Sequence, residues 1–264
     1  MKQKLYLKWI GSLFTKMLQV TALLLMAVAI TTNASAQTVL ISPTGNGGFE
    51  SGTTFAANGW TVANAASGNS WAVGTAAVSA GARGAYISNN SGTSNNYTNF
   101  GLLSSASRTV HFYRDVTFPA GQTSITLSFK WRCAGESGAD FIKVSLAATS
   151  VVPTSGTDIA AGNQIAGPFS GQGSAFQTVT LTIPASNAGT TKRLIFTWIN
   201  NNNLVGSNPA GAFDEISLTS CAPPVVTASN NGPVCAGDIG RGDWPAGISA
   251  DDGKMPCCLV NYAD

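Results

Sequence analysis

Acids are scarce in this chain of 264 residues, with 12 Asp and Glu in all, and two of them keep unusual company. Glu50 follows Gly47-Gly48-Phe49, and Asp214 sits inside Ala212-Phe213-Asp214-Glu215-Ile216-Ser217-Leu218. The second stretch reads as a strand. Alternate side chains of a strand share a face, so Ala212, Asp214, Ile216 and Leu218 are expected on one side. Ile216 and Leu218 call for burial, so Asp214 is expected to lean inward with them while Glu215 faces solvent. A desolvated carboxylate without a partner is costly. Two things relieve it: the backbone N–H groups of a turn, or a hard cation such as calcium, which gathers roughly six to eight oxygens.

Other residues offer other chemistry. Glu136 and Asp140, in Gly135-Glu136-Ser137-Gly138-Ala139-Asp140, could form the acid/base pair of a glycosidase. The spacing suits a solvated hairpin loop better, and that is the expectation. His111 is the one histidine of the chain. A serine triad would need it beside a nucleophile and an Asp, but no Gly-x-Ser-x-Gly elbow is present. In Thr109–Val116 it alternates with Tyr113 and Asp115, opposite Phe112 and Arg114, which reads as a surface or half-buried strand histidine. No phosphate loop or dinucleotide fingerprint appears. Trp60, Trp71, Trp131 and Trp198 invite a sugar-stacking reading, but Trp131 and Trp198 alternate with core-type residues and are expected to be packed. Trp71, and Tyr97 beside an Asn-rich stretch with Tyr86 and Phe100 at its flanks, are the candidate ligand contacts, with Tyr97 expected to be exposed.

The elements that must position these residues follow from patterning. Lys2, Lys4, Lys8 and Lys16 precede an apolar run, Met17–Ile30, and then Ala34-Ser35-Ala36. This three-part order predicts a signal peptide over residues 1–36, removed on export; the run is short for a membrane span. Without those four lysines the balance is 10 Lys+Arg against 12 Asp+Glu, or about −2. No basic field attracts nucleic acid, and no membrane span is expected after cleavage. Between Gln37 and Ser220 short apolar runs alternate with Gly, Asn, Ser and Pro turns. Strands are expected near Val39–Ile41, Gly48–Glu50, Trp60–Val62, Trp71–Val73, Ala85–Ser88, Val110–Phe118, Ser124–Cys133, Phe141–Ala147, Phe176–Ile183, Lys192–Asn200 and Ala212–Leu218. In Ser124–Cys133, Ile125, Leu127, Phe129 and Trp131 face one way, opposite Thr126, Ser128, Lys130 and Arg132. The pattern predicts an all-β, two-sheet antiparallel jelly-roll sandwich over residues 37–220. Two polar Gly-rich loops, Asn89–Asn99 and Thr149–Gly173, are long enough to be functional. Five cysteines in an exported chain permit disulfides and leave an odd one; Cys133 with Cys221, both at strand ends, is the expected pair. Residues 221–238 read as a linker entering a new module, and residues 239–264 as an irregular tail.

Several stretches, in order, resemble one family. Gly47–Trp60, "GGFESGTTFAANGW", followed by "NSWAVG", "GAYISNN", His111–Ala147 and "AFDEISL", is similar to the MAM-like and cleaved-adhesin (choice-of-anchor J) jelly-roll modules of secreted multidomain bacterial surface proteins. The likeness spans about Thr38 to Leu218. "APPVVTASNNGPVCAGD" resembles the opening of an Ig-like or PKD-like repeat that stops after Asp238, and truncation or a frameshift is the expected cause. The resemblance implies a structural calcium at Glu50 and Asp214, with Asn46 as a further oxygen, brought together if the first and last strands lie side by side. It implies a non-catalytic adhesin-like module, secreted or at the cell surface, that contacts polysaccharide or an extracellular protein through loops. The alternative is a carbohydrate-binding accessory domain of a secreted glycan-degrading enzyme.

Overall fold

A computed structural model of the chain describes residues 37–99 and 108–223. The expected signal peptide, Phe100, residues 224–238 of the linker, the tail, and Cys235, Cys257 and Cys258 lie outside them. Eleven strands are described: β1 (Gln37–Ile41), β2 (Thr61–Ala63), β3 (Ser70–Gly74), β4 (Gly84–Ser88), β5 (Thr109–Thr117), β6 (Ser124–Cys133), β7 (Phe141–Ala148), β8 (Gln164–Phe169), β9 (Gln172–Ile183), β10 (Thr191–Ile199) and β11 (Ala212–Cys221). They form two antiparallel sheets, one ordered β3-β4-β11-β6-β9 with β1 also on β11, the other β2-β5-β10-β7-β8. This is a two-sheet jelly-roll sandwich.

Alternation drives the packing. Along β6, Ile125, Leu127, Phe129, Trp131 and Cys133 are buried, while the residues between them are half-exposed. Facing residues of β10 and β5 bring Phe196 opposite Phe112, and their rings stack at 4.7 Å with planes 3° apart. Trp60, Trp71 and Phe213 pack edge-on against Phe112. Trp131 stacks on Phe169 at 4.6 Å. These rings fill the space between the sheets, where each large aromatic removes much apolar surface from water.

Three expectations about elements are corrected. Gly48–Glu50 is a turn: Phe49 adopts φ +60, a left-handed conformation uncommon for a bulky residue. Its ring is fully buried between Phe55, Trp60 and Phe112. The stretch Thr149–Gly173 contains β8, masked in the sequence by Gly167 and Pro168. The rest of that stretch covers the outer face of the second sheet, with Val151 and Ile159 packed on Ala147, Ile195 and Tyr113. His111 is therefore fully buried. Its Nδ1 lies 2.9 Å from Thr197 Oγ1 and its Nε2 3.0 Å from the Thr157 carbonyl, and desolvation lowers its pKa below the ordinary imidazole value.

The expected disulfide is also absent. Cys133 and Cys221 are both buried and unbridged. Cys221 pairs with Ser124, at the start of β6, whereas Cys133 ends that strand. Neighbouring antiparallel strands put their C-terminal ends at opposite edges of the sheet, here about 30 Å apart at about 3.3 Å per residue, far beyond disulfide reach.

Candidate functional site

The first and last strands do lie side by side: Gln37–Ile41 pairs with Cys221–Leu218. β4 joins the same edge of β11 at Ala212 and Phe213. Between these two partners β11 carries a bulge. Asp214 pairs with Lys130 and Ser217 with Ser128, so Glu215 and Ile216 together oppose Phe129. Glu215 has φ +49, and the Ile216 N–H donates to the Gly47 carbonyl at 3.0 Å.

The bulge reverses the expected faces. An extra residue shifts every following side chain by one position. Phe213, Ile216 and Leu218 enter the core between the sheets, whereas Ala212 packs on the outer side with Tyr86 and Ala77. Asp214 pairs with Lys130, one of the outward residues of β6, and so points outward too. It is nonetheless fully buried, because the segment between β3 and β4 folds over it. Asp214 Oδ2 accepts the N–H groups of Ser79 (2.7 Å) and Ala80 (3.2 Å), and Oδ1 that of Glu215 (2.7 Å). Beyond Gly81, Glu50 Oε1 accepts the amides of Ala82 (2.8 Å) and Arg83 (3.0 Å). Glu215 is engaged as well, accepting from Ser79 Oγ at 2.7 Å, and so is not the solvated neighbour that alternation predicts. Thus acids from the two ends of the domain clasp one loop, Ser79–Arg83. Burial raises the Asp214 pKa to about 6, against the opposing pull of its three amide donors.

Asn46 serves its own turn. Its Oδ1 accepts the Ser42 N–H at 3.3 Å and its carbonyl the Trp60 indole N–H at 2.8 Å. No group of three or more His, Cys, Asp or Glu side chains of the kind that holds a metal gathers among the described residues. Glu50 Oε2 has no hydrogen-bond donor among the described residues.

A second cluster lies at the end of the sandwich where β4, β6 and β10 stop. Tyr97 is 5 % exposed, which corrects its expected exposure. Its ring packs on Trp198 at 4.9 Å, and its hydroxyl donates to Asp140 Oδ2 at 2.7 Å. Asp140 Oδ1 accepts the Asn201 N–H (2.9 Å), and Glu136 Oε2 accepts the amides of Asn201 (3.0 Å) and Asn203 (2.8 Å). Desolvation raises the Asp140 pKa, with the Tyr97 hydrogen bond pulling the other way. Asn95 donates to the Ile87 and Ala210 carbonyls, and Arg132 Nε and Nη2 hold its Oδ1. Three connections, 89–99, 134–140 and 200–211, are locked together. They present Leu204 and Val205, 69 % and 54 % exposed. The sequence marks Tyr97, Glu136 and Asp140 singly, but not Asn95, Asn201 and Asn203, which join them and read as ordinary turn formers.

Trp71 is 3 % exposed and donates its indole N–H to the Val110 carbonyl at 3.1 Å. It is a core residue whose edge lines a cleft of about 520 Å³. Tyr86 is fully buried, with its hydroxyl on the Gly92 carbonyl at 2.6 Å. Among the described residues no helix is long and apolar enough to cross a membrane.

No protein-family model matches the chain, and no curated protein matches it. Solved structures resemble it at low identity. The CBM22-1 xylan-binding domain of Paenibacillus barcinonensis Xyn10C is 13 % identical with a TM-score of 0.41, over 72 % of this chain and 98 % of that one. The K3 cleaved adhesin domain of Lys-gingipain from Porphyromonas gingivalis W83 is 15 % identical with a TM-score of 0.39, over 69 % and 98 %. A Stig cyclase, Fisc from Fischerella sp. TAU, is 14 % identical with a TM-score of 0.42, over 70 % and 100 %. Binding domains and an enzyme stand side by side at similar scores, so these likenesses do not say what this chain does.

Proposed function

We propose that the chain is a non-catalytic, exported binding module that contacts polysaccharide or an extracellular protein through its loops. The carrying observation is the loop end built on Tyr97, Asp140 and Glu136. Asp140 spends both oxygens on Tyr97 and Asn201, and Glu136 spends Oε2 on Asn201 and Asn203; the result is a cross-linked surface that exposes Leu204 and Val205. Pre-ordered loops on a rigid scaffold suit recognition, because little entropy remains to be lost on binding. The test is retention of the full chain on a panel of polysaccharides and extracellular-matrix proteins. A Leu204→Asp/Val205→Asp variant is expected to lose the retention, whereas glycan hydrolysis abolished by Glu136→Gln would overturn the reading.

We propose in addition a structural calcium at the clasp, held by Glu50 Oε2 and Asp214. Supporting this, an ionised Asp214 is buried without a counter-charge, which is why its pKa rises, and a cation would relieve that. Calcium bound only by the folded state raises Tm with concentration. An unchanged Tm on going from excess chelator to millimolar calcium overturns this part and leaves the amides of Ser79–Arg83 as the whole clasp.

A further inference from the structure

The cleft beside Trp71 belongs to neither cluster. It forms where the sandwich is open at one side. β2 and β3 are edge strands of opposite sheets. Val62 pairs with the core residue Phe112, and Val73 with the core residue Ala85, so both side chains point into the slot between the sheets. There they are incompletely covered, with Val62 38 % exposed. Phe55 and the Trp71 edge complete an apolar floor. The walls carry the hydroxyl residues Thr53, Thr54, Thr75 and Ser91 and one charged residue, Arg83.

Arg83 is the informative member. Its backbone N–H is fixed by Glu50, yet its guanidinium makes no hydrogen bond or ion pair among the described residues. No carboxylate lines the cleft. The backbone adds to the inventory. Asn64 occupies both the N–H and the C=O of Trp71 on the open edge of β3, at 2.8 and 2.9 Å. By the alternation of an antiparallel edge, the N–H and C=O of Val73 point the same way, toward the cleft.

We propose that this cleft binds a uronic-acid residue of an acidic polysaccharide. The carboxylate pairs with the Arg83 guanidinium, whose planar fork matches it. The sugar hydroxyls meet the threonines, Ser91 and the Val73 backbone, and the apolar face of the ring lies on Val62 and the aromatic edges. The volume falls within the range of about 300–1,000 Å³ usual for ligand sites. The proposal rests on the reading of the chain as a binding module and names its ligand class.

The experiment is affinity electrophoresis of the full chain in gels containing polygalacturonate or its fully methyl-esterified form, which removes the charge and keeps the chain. Wild type is expected to be retarded by the acid polymer alone. Arg83→Gln is expected to weaken binding about ten- to a hundredfold, as loss of a charge-assisted pair predicts, at unchanged Tm; Arg83→Lys should retain part of it. Thr75→Trp, which fills the cleft from an exposed position, should abolish it. Equal retardation by the esterified polymer, or undiminished retardation of Arg83→Gln, overturns the proposal. If Leu204→Asp/Val205→Asp alone loses retention, the cleft assignment fails while the binding-module reading stands. If wild type retains no polysaccharide and no protein, that reading fails too.

Discussion

Replacing Asp214 with Asn keeps the shape of the side chain and removes its ionisation; the amide NH2 also gives up one acceptor of the clasp, a cost that is the same at every pH and leaves the pH dependence as the readout. In the folded chain the Asp214 carboxyl titrates near pH 6, raised by burial from an ordinary value of 3.8. The folded state therefore holds this proton more tightly than the unfolded state. Its contribution to stability is complete below about pH 4 and is lost as pH rises through 6. A shift of about two units at 1.36 kcal/mol each makes the loss about 3 kcal/mol at most. Asn cannot ionise, so the variant should lack this decline, and its stability relative to wild type should improve by up to that amount between pH 4 and pH 7. For a domain of this size that corresponds to about 6–12 °C in Tm. Thermal unfolding of both proteins across pH 4–7 in excess chelator reads it directly, and other titrating groups, Asp140 among them, cancel in the comparison. Parallel curves, or wild type gaining on the variant as pH rises, would refute the reasoning. Calcium added at pH 7 should raise Tm of wild type and not of the variant if the cation reading holds.

Three further outcomes follow from the same geometry. Gly47→Ala places a Cβ into the Ile216 carbonyl and should lower stability by more than about 2 kcal/mol, measured by denaturant unfolding, because the chain closure must part. Tyr97→Phe leaves Asp140 Oδ2 short of a donor in a buried site and should cost about 1–3 kcal/mol, again by denaturant unfolding, with the sheets otherwise intact by circular dichroism. Cys133, buried with its thiol pKa raised to about 12, should resist thiol reagents at pH 8 until the chain is unfolded, and no Cys133–Cys221 peptide should appear in a non-reducing digest.

Most strands were legible in the sequence because a half-buried strand writes its two faces into period two, as Ser124–Cys133 does from end to end. The adjacency of first and last strands was legible as well. The bulge was not. Bulges that need a left-handed residue commonly advertise it with Gly, but here Glu215 takes that conformation, and Ala212–Leu218 looks like unbroken alternation. One unmarked residue sent Asp214 to the outer face and left Ile216 in the core, which alternation forbids. Phe49 misleads for the same reason: its left-handed backbone turns the ring into the core and frees Glu50 to face the loop. The cover over His111 was hidden because Thr149–Gly173 is polar and Gly-rich by composition, and the residues that turn inward from its first half, Val151, Pro153 and Ile159, follow no strand period. The cysteines were placed correctly on strand ends, but strand direction decides which ends meet.

The clasp and the cleft are one construction. Ser79–Arg83 is a Gly-containing connection with little apolar surface of its own, so it has no core to hold it in place. Its position comes from four of its backbone donors that two acids receive, one acid on each side of the chain closure. The last donor of the series is the N–H of Arg83 itself. Wherever Glu50 sits, Arg83 is set by it, and Glu50 sits where Phe49 is locked among Phe55, Trp60 and Phe112. The backbone of Arg83, from which the cleft's one charge extends, is thus set by the aromatic core through two adjacent residues, Phe49 and Glu50. Closing the domain and setting the Arg83 backbone beside the cleft then depend on the same hydrogen bonds.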